Sequence, residues 1–305
     1  MHPVRGFVTK LVGLLGHGAL LSITLVSVVG VGFIFYSILR DAIPFVTESS
    51  MFRALTSKEW RPTAEPNPEF GMAAILYGSA SVTVQAMLLA SPVGILVAIA
   101  MAEIFPYRLR QVVKPVLELL ATIPSVVFGF FALAVLAPFF QDTFGLTSGA
   151  NSFTAALILA LMALPTIVSV AEDSLQTVGR ELREGAYALG ATRLECVWQV
   201  VLPASFSGIC TAVLLGVMRA FGETMVVLMV AGNSPQIPEP FYNIFAPVRT
   251  MTATIAVEMG ETPRDSLHYS ALFFMAGVLL AISFTINLLG EVIMRRQRRK
   301  LSGER

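Results

Sequence analysis

The sequence predicts an all-α membrane protein with six transmembrane helices, and three observations carry that prediction. Hydrophobic residues make up 55% of the chain and charged residues 13%, against about 25% charged in a soluble domain. The mean hydropathy is +0.74. The uncharged residues are gathered into runs of the length needed to cross a hydrocarbon core, about 20 residues each. Lipid cannot satisfy open backbone groups, so such runs are read as helices. None alternates strictly between polar and apolar, which argues against a β-barrel.

Taken in order, residues 11–39, 70–102, 119–141, 143–171 and 266–290 contain no Asp, Glu, Lys or Arg. Residues 196–238 are interrupted only by Arg219 and Glu223. These runs place six spans at 11–39, 72–101, 117–138, 152–172, 206–231 and 269–293. The first follows Arg5 and Lys10, as a secretory signal does. It is far longer than an h-region and lacks a small-x-small cleavage site, so it reads as an uncleaved span. Pro92, Pro124 and Pro165 fall within spans and are expected to kink them. Gln85, Ser91, Thr122, Ser125, Ser169 and Asn287 read as helix-packing groups.

Basic residues set the expected orientation. With the N-terminus in the cytosol, the inner segments (1–10, 102–114, 174–204 and 294–305) hold fourteen Lys and Arg. The longer outer segments (40–71, 138–152 and 232–268) hold six. Both termini are therefore expected to be cytosolic, with a basic tail from Arg295 to Lys300 near anionic headgroups. The outer segment 40–71, with Trp60, Pro62, Pro66 and Pro68, suits an ordered loop or short interfacial helix. Residues 249–261 suit a short helix at the outer face, where Glu258 and Glu261 are solvated or meet a binding protein. Three histidines (His2, His17 and His268) stand apart in the sequence and suggest no ligand role.

Composition also excludes function classes. A net charge of +1 gives no bulk field for nucleic acid. Cys196 and Cys210 lack metal-ligand spacing and cannot form a disulfide framework. No Lys follows a Gly, so no phosphate-binding P-loop is present, and neither G-x-S-x-G nor H-E-x-x-H occurs. No metal or cofactor is expected, and any ATP hydrolysis must occur on another polypeptide.

The inner segment at about 174–204 is the most patterned. Leu175, Val178, Leu182, Ala186 and Leu189 step by three or four, as an apolar stripe on a helix does. Gly190 permits a sharp turn, and Pro203 is tolerated in the first turn of the next helix. This describes a short helix, a glycine break, a second short helix and a return to the membrane. A surface-lying amphipathic helix and a docking knob for a cytosolic partner both fit.

Arg219 and Glu223 form the second constellation. A charge near the bilayer centre costs about 2.5–3.5 kcal/mol or more, so both need partners, water or shielding within a bundle. Their spacing of four puts them on one helix face. An Arg fork can hold an oxyanion at two points. Glu223 can neutralise Arg219 when no anion is present, or accept a hydrogen bond from protonated phosphate. An ion pair that merely joins two helices is the alternative.

Four segments carry a resemblance. Glu184-Gly185-Ala186, then Gly190, then Val200-Val201-Leu202-Pro203 resembles the E-A-A-x3-G-x9-I-x-L-P loop of ABC-importer permeases, with Gly185 and Val200 as mild departures. Residues 216–225, GVMRAFGETM, resemble the R-A-x-G-E-T-M segment of PstC-type permeases of bacterial phosphate importers. Residues 123–129, IPSVVFG, and 252–261, TATIAVEMGE, are similar to two further segments of that family. The likeness covers roughly 70–290. The related PstA type shares the loop and part of the G-E-T region.

The resemblance implies a type I, MetI-like permease fold over 72–293, with 1–71 as an N-terminal helix and external loop and 294–305 as the tail. It implies Arg219, Glu223 and Thr224 in translocation. It also implies that the loop bearing Glu184, Gly185, Ala186, Gly190, Leu202 and Pro203 sits in a groove of an ATP-hydrolysing subunit. Implied partners are a second, PstA-like permease, PstB-like ATP-binding subunits and a PstS-like phosphate-binding protein. A permease for sulfate or molybdate, and a membrane protein with no transport role, remain as rivals.

Overall fold

The computed structural model describes the backbone of residues 3–64 and 66–301, and all side chains in these ranges except those of 3–15, 17, 19, 293, 294 and 296–301. The sequence expectations for His2, His17 and the basic run beyond Arg295 lie outside the described side chains.

Among the described residues, six helices are long and apolar enough to span a membrane: Leu20–Glu48, Ala73–Ile104, Ser125–Phe144, Ser152–Gln176, Arg193–Phe221 and Leu267–Val292. The first belongs to α1 (Pro3–Glu48) and is followed by α2 (Met51–Thr56). Strands β1 (Trp60–Arg61) and β2 (Glu69–Phe70) pair antiparallel, with Trp60 opposite Phe70. Then come α3 (Ala73–Ile99), a five-residue π-helical turn at Ala100–Ile104, and α4 (Tyr107–Thr122). The third span is α5 (Ser125–Phe131), a second π turn, and α6 (Ala137–Phe144). The fourth is α7 (Ser152–Gln176).

Two short helices, α8 (Arg180–Ala188) and α9 (Arg193–Cys196), precede a π turn at Val197–Val201 and α10 (Leu202–Phe221). Then follow α11 (Met225–Val230), α12 (Met251–Glu258) and α13 (Leu267–Leu301).

The sequence reading needs four corrections. It ended the first span at 39 and began the outer segment at 40, whereas helix α1 continues through Arg40 and Asp41 to Glu48. It joined 117–122 to the third span. Instead Ile123 and Pro124 are extended, α4 is a separate helix, and α5 starts after the proline. A residue before proline is pushed out of the α region, so Pro124 divides helices, whereas Pro92 and Pro165 lie within α3 and α7. The fifth span starts at Arg193, because helix runs unbroken from α9 into α10, and it stops at Phe221. The apolar stripe of the loop is also divided. Leu175 belongs to α7 and Val178 to the turn, and both are buried, as is Ala186. Leu182 and Leu189 point outward, Leu189 with 91% of its surface exposed.

The centre of the bundle is α7, with 61% of its most apolar stretch buried against at most 28% for the other spans. Its small residues Ala155, Ala156, Ala160, Ala163 and Ala171 are buried, which lets α3 and α10 approach closely. Ile167 of α7 is clasped between two glycines. A Cβ on Gly94 of α3 would lie 2.7 Å from its Cγ2, and one on Gly216 of α10 would lie 2.8 Å from its Cδ1. A second cluster, around Phe45, Trp60, Met72, Ile75, Met251, Leu272 and Met275, joins α1, the hairpin, α3, α12 and α13.

Candidate functional site

On α10, Ser205, Ile209, Ala212, Gly216 and Ala220 form the buried stripe. Arg219 lies in the last turn, off that stripe and exposed on the chain's own surface, with Leu215 exposed one turn before it. Among the described residues it has no salt-bridge partner.

The expected Arg219–Glu223 helix face does not form, because the helix ends between them. Gly222 closes α10 through its amide, which reaches the carbonyl of Met218. Glu223 then turns to the next helix. Its Oε1 accepts the amide N–H groups of Thr224 (3.1 Å), Met225 (2.9 Å) and Val226 (3.4 Å). A carboxylate in this position satisfies amide donors that a helix start leaves unpaired and complements the helix dipole. Glu223 thus caps α11. Thr224 opens that helix with its backbone, and its own side chain makes no cap.

Three of the four resembling segments converge here. Gly129 of the I-P-S-V-x-x-G segment brings α5 against α11: a Cβ there would lie 2.8 Å from Met229 Sδ and 3.4 Å from Val226 Cα. Thr252 of α12 donates its hydroxyl to the Glu223 carbonyl at 2.8 Å. The N-terminal end of α12 is also held by the Met251 amide, which donates to Ser79 Oγ on α3 at 2.8 Å. Gly78 is required at this crossing, since a Cβ would sit 2.2 Å from the Arg249 carbonyl oxygen.

The other end of α12 corrects the reading of His268 as isolated and of Glu258 as solvated. Glu258 receives Arg249 Nη1 at 2.8 Å, Trp60 Nε1 at 3.0 Å, and sits 2.8 Å from His268 Nε2. Glu261 is exposed, as expected for a solvated residue. The charge signs of 249 and 258 were legible in the sequence, but their pairing depends on the fold of the 232–250 connection.

On the side of the bundle that carries α4, α8 and α9, Glu184 and Gly185 are exposed and Ala186 is buried. Gly190 adopts φ +86°, a left-handed conformation that its lack of a Cβ allows. Thr192 and Glu195 form a reciprocal capping box that starts α9. Leu202 and Pro203 continue the helix into the span. Leu182, Tyr187, Leu189, Leu194 and Trp198 leave a run of exposed large apolar groups around this loop.

Sequence reasoning missed the charge network beneath the loop. Glu172, the last residue of the fourth span as read from sequence, is fully buried, 3.2 Å from Lys114 Nζ and 3.8 Å from Arg110 Nε. Burial pulls the Lys114 ammonium downward, but hydrogen bonds and charge from Glu172 and then Asp173 outweigh it and raise its pKa.

Comparison with known proteins agrees with this architecture. Residues 91–302 match the family described as "Binding-protein-dependent transport system inner membrane component". A "Probable ABC transporter permease protein YqgH" of Bacillus subtilis is 41% identical over 244 residues, covering 80% of this chain and 78% of that protein. A "Phosphate transport system permease protein PstC" of Mesorhizobium japonicum is 38% identical over 264 residues, covering 80% and 79%.

Two solved structures share the fold at lower identity. A bacterial alginate ABC transporter, solved with an alginate pentasaccharide-bound periplasmic protein, matches at TM-score 0.62 and 16% identity over 94% of this chain and 98% of that one. The inward-facing MetNI methionine ABC transporter matches at TM-score 0.58 and 17% identity over 77% and 99%. With six membrane-length helices in this arrangement, the chain is a multi-pass cytoplasmic-membrane protein that belongs to the binding-protein-dependent transport system inner membrane component family, the permeases of ABC importers.

Proposed function

We infer that this chain is one permease subunit of an ATP-driven phosphate importer. The single observation that carries the reading is the convergence of α5, α11 and α12 on the break at Gly222–Thr224, one turn from an exposed Arg219 that has no salt-bridge partner among the described residues. The name of the PstC relatives supplies the substrate class.

The exposure of Arg219 bears on the partner. A guanidinium facing acyl chains costs at least a few kcal/mol, so a second permease, of PstA type, covers this face. Arg219 then borders a path between two chains. Its planar fork meets two oxygens of a phosphate ion as the anion passes. The contact is weak and belongs to one conformation, because a conduit must release what it binds. Glu223 and Thr224 hold the break in shape beside it, with the Glu223 carboxylate anchored by α11 amides instead of by Arg219.

The α4/α8 side is cytosolic, and so are both termini. A PstS-like protein delivers phosphate to the opposite mouth. PstB-like subunits bind and hydrolyse ATP, and the loop of Glu184, Gly185, Ala186, Gly190, Leu202 and Pro203 docks on them through Leu182, Leu189 and their exposed neighbours. Closure of those subunits opens the path outward, and hydrolysis resets it inward.

The test is labelled-phosphate uptake by proteoliposomes holding the complete complex. Uptake is expected to resist excess sulfate and molybdate. Arg219→Ala is expected to abolish it while the subunits still co-purify. Normal phosphate uptake by Arg219→Ala removes that residue from the path, and competition by sulfate replaces phosphate with another oxyanion.

A further inference from the structure

The inner end of the second span is held by three guanidinium groups from three different elements. Arg183 of α8 places Nη2 2.7 Å from Glu103 Oε1. Arg193 of α9 donates to the Glu103 carbonyl. Arg110 of α4 donates to the carbonyls of Met101 and Ala102, the latter at 2.8 Å. All three acceptors lie in the π turn Ala100–Ile104 that ends the span. A π turn leaves carbonyls out of the regular α ladder and recurs at functional sites. Here two of the three donors come from the loop that bears Glu184.

Arg183 does more than pair. Its Nη1 donates to the Val178 carbonyl at 2.7 Å and its Nη2 to the Leu175 carbonyl at 2.9 Å, closing the end of α7. Glu103 and Arg183 side chains are only 10% and 19% exposed, so water screens the pair weakly. The sequence neighbour of Arg183 is the exposed Glu184. A push received at Glu184 therefore meets a rigid fork one residue away, and that fork is fastened to the second span. The second span packs on α7 and α10, where Gly94 and Gly216 clasp Ile167. The far end of α10 carries Arg219.

We propose that Arg183 and Glu103 are positioning residues that carry movement of the loop into the second span. Neither touches substrate or nucleotide. The inference rests on the docking reading given above and adds the route by which the docked loop acts.

The experiment uses the complete complex in proteoliposomes and reads phosphate taken up per ATP hydrolysed, alongside the amount of complex recovered. Glu103→Gln keeps the shape and removes the charge pair. It is expected to lower uptake per ATP by about tenfold, within the range of typical site-to-site coupling, at unchanged recovery. In an Arg183→Met background, where the pair is already absent, Glu103→Gln is expected to change the ratio by less than about twofold.

An unchanged ratio in Glu103→Gln overturns the proposal. So does an equal further loss from Glu103→Gln in the Arg183→Met background, since the effect is then not carried by the pair. If Glu103→Gln does not assemble, an Arg183→Met complex that assembles with a lowered ratio supports the proposal, and one that fails to assemble or stays coupled overturns it. Glu184→Lys is measured in parallel. A Glu184→Lys complex that stays coupled sinks the docking reading itself, whereas an uncoupled one beside a coupled Glu103→Gln sinks only the route.

Discussion

The hydroxyl of Thr252 donates to the backbone carbonyl of Glu223 at 2.8 Å, tying α12 to the break between α10 and α11. The carbonyl belongs to a helix end, where the regular ladder leaves acceptors unmade. Thr252→Val keeps the shape and removes the donor, leaving the acceptor unpaired in a part-buried position. The expected loss is about 1–2 kcal/mol of stability, read as a lower thermal midpoint in detergent. Thr252→Ser retains the donor and is expected to lose much less. Equal losses in the two variants would show that the methyl, not the hydroxyl, matters.

The role of Glu223 as a cap gives a second measurement. Glu223→Ala removes an acceptor from three amides and is expected to cost about 1 kcal/mol. Glu223→Gln keeps a side-chain oxygen that can accept the same amides. Its thermal midpoint is expected to stay nearer to that of the original chain than the midpoint of Glu223→Ala. Phosphate uptake by Glu223→Gln then tells whether the negative charge has a further use in the proposed path.

These residues show what a sequence can and cannot reveal. The second and fourth spans were legible to within a few residues because each is a long uncharged run between turn signals. The third and fifth were not, because Ile123-Pro124 and Gly222-Glu223-Thr224 interrupt helices inside stretches that stay apolar. Hydropathy is blind to such a break, since it reports burial in lipid and not backbone continuity. The rule that residues four apart share a face failed for Arg219 and Glu223 for the same reason. Arg249, Glu258 and His268 were each visible, but their pairing joins the connection before α12, the end of α12 and the start of α13, and so depends on tertiary structure. Glu172 looked like the polar end of a span, and only the packing of α4 against α7 buries it.

Lys114 supplies a pH-dependent prediction. Burial lowers its pKa, but hydrogen bonding and charge from Glu172 and Asp173 together outweigh that effect and raise it. A cationic group with a raised folded-state pKa contributes stability that is fully present below its ordinary value of 10.5 and is lost as pH climbs through the raised value. Thermal stability is therefore expected to fall on the alkaline side of pH 10.5, and Lys114→Met is expected to flatten that fall. Lys114→Met also leaves Glu172, 1% exposed, with Arg110 at 3.8 Å as its remaining cation. Below pH 10.5 the variant is therefore less stable than the original chain. An alkaline limb of the same steepness in both proteins would place the titrating group elsewhere.

Gly190 separates the shape of the loop from the stability of the bundle. Its φ of +86° is strained for any residue with a Cβ, yet a Cβ there meets nothing within 4 Å. Gly190→Ala therefore carries a conformational cost of roughly 1–2 kcal/mol with no steric clash, and the strain falls on the turn between α8 and α9. That turn sets the angle between α8 and α9, and on the proposed function the angle at which Leu189 and Leu194 face a docking partner. The complex is expected to assemble with a shallower hold on its ATP-binding subunits, and uptake per ATP is expected to fall. Gly185 is the internal comparison. It also has open space around it, but it lies inside α8 with ordinary helical backbone. Gly185→Ala is expected to stabilise α8 by up to about 1 kcal/mol, the opposite sign from Gly190→Ala. Thermal unfolding of the two variants checks the sign. If both substitutions stabilise, the turn at Gly190 is not held in its left-handed conformation in the assembled transporter.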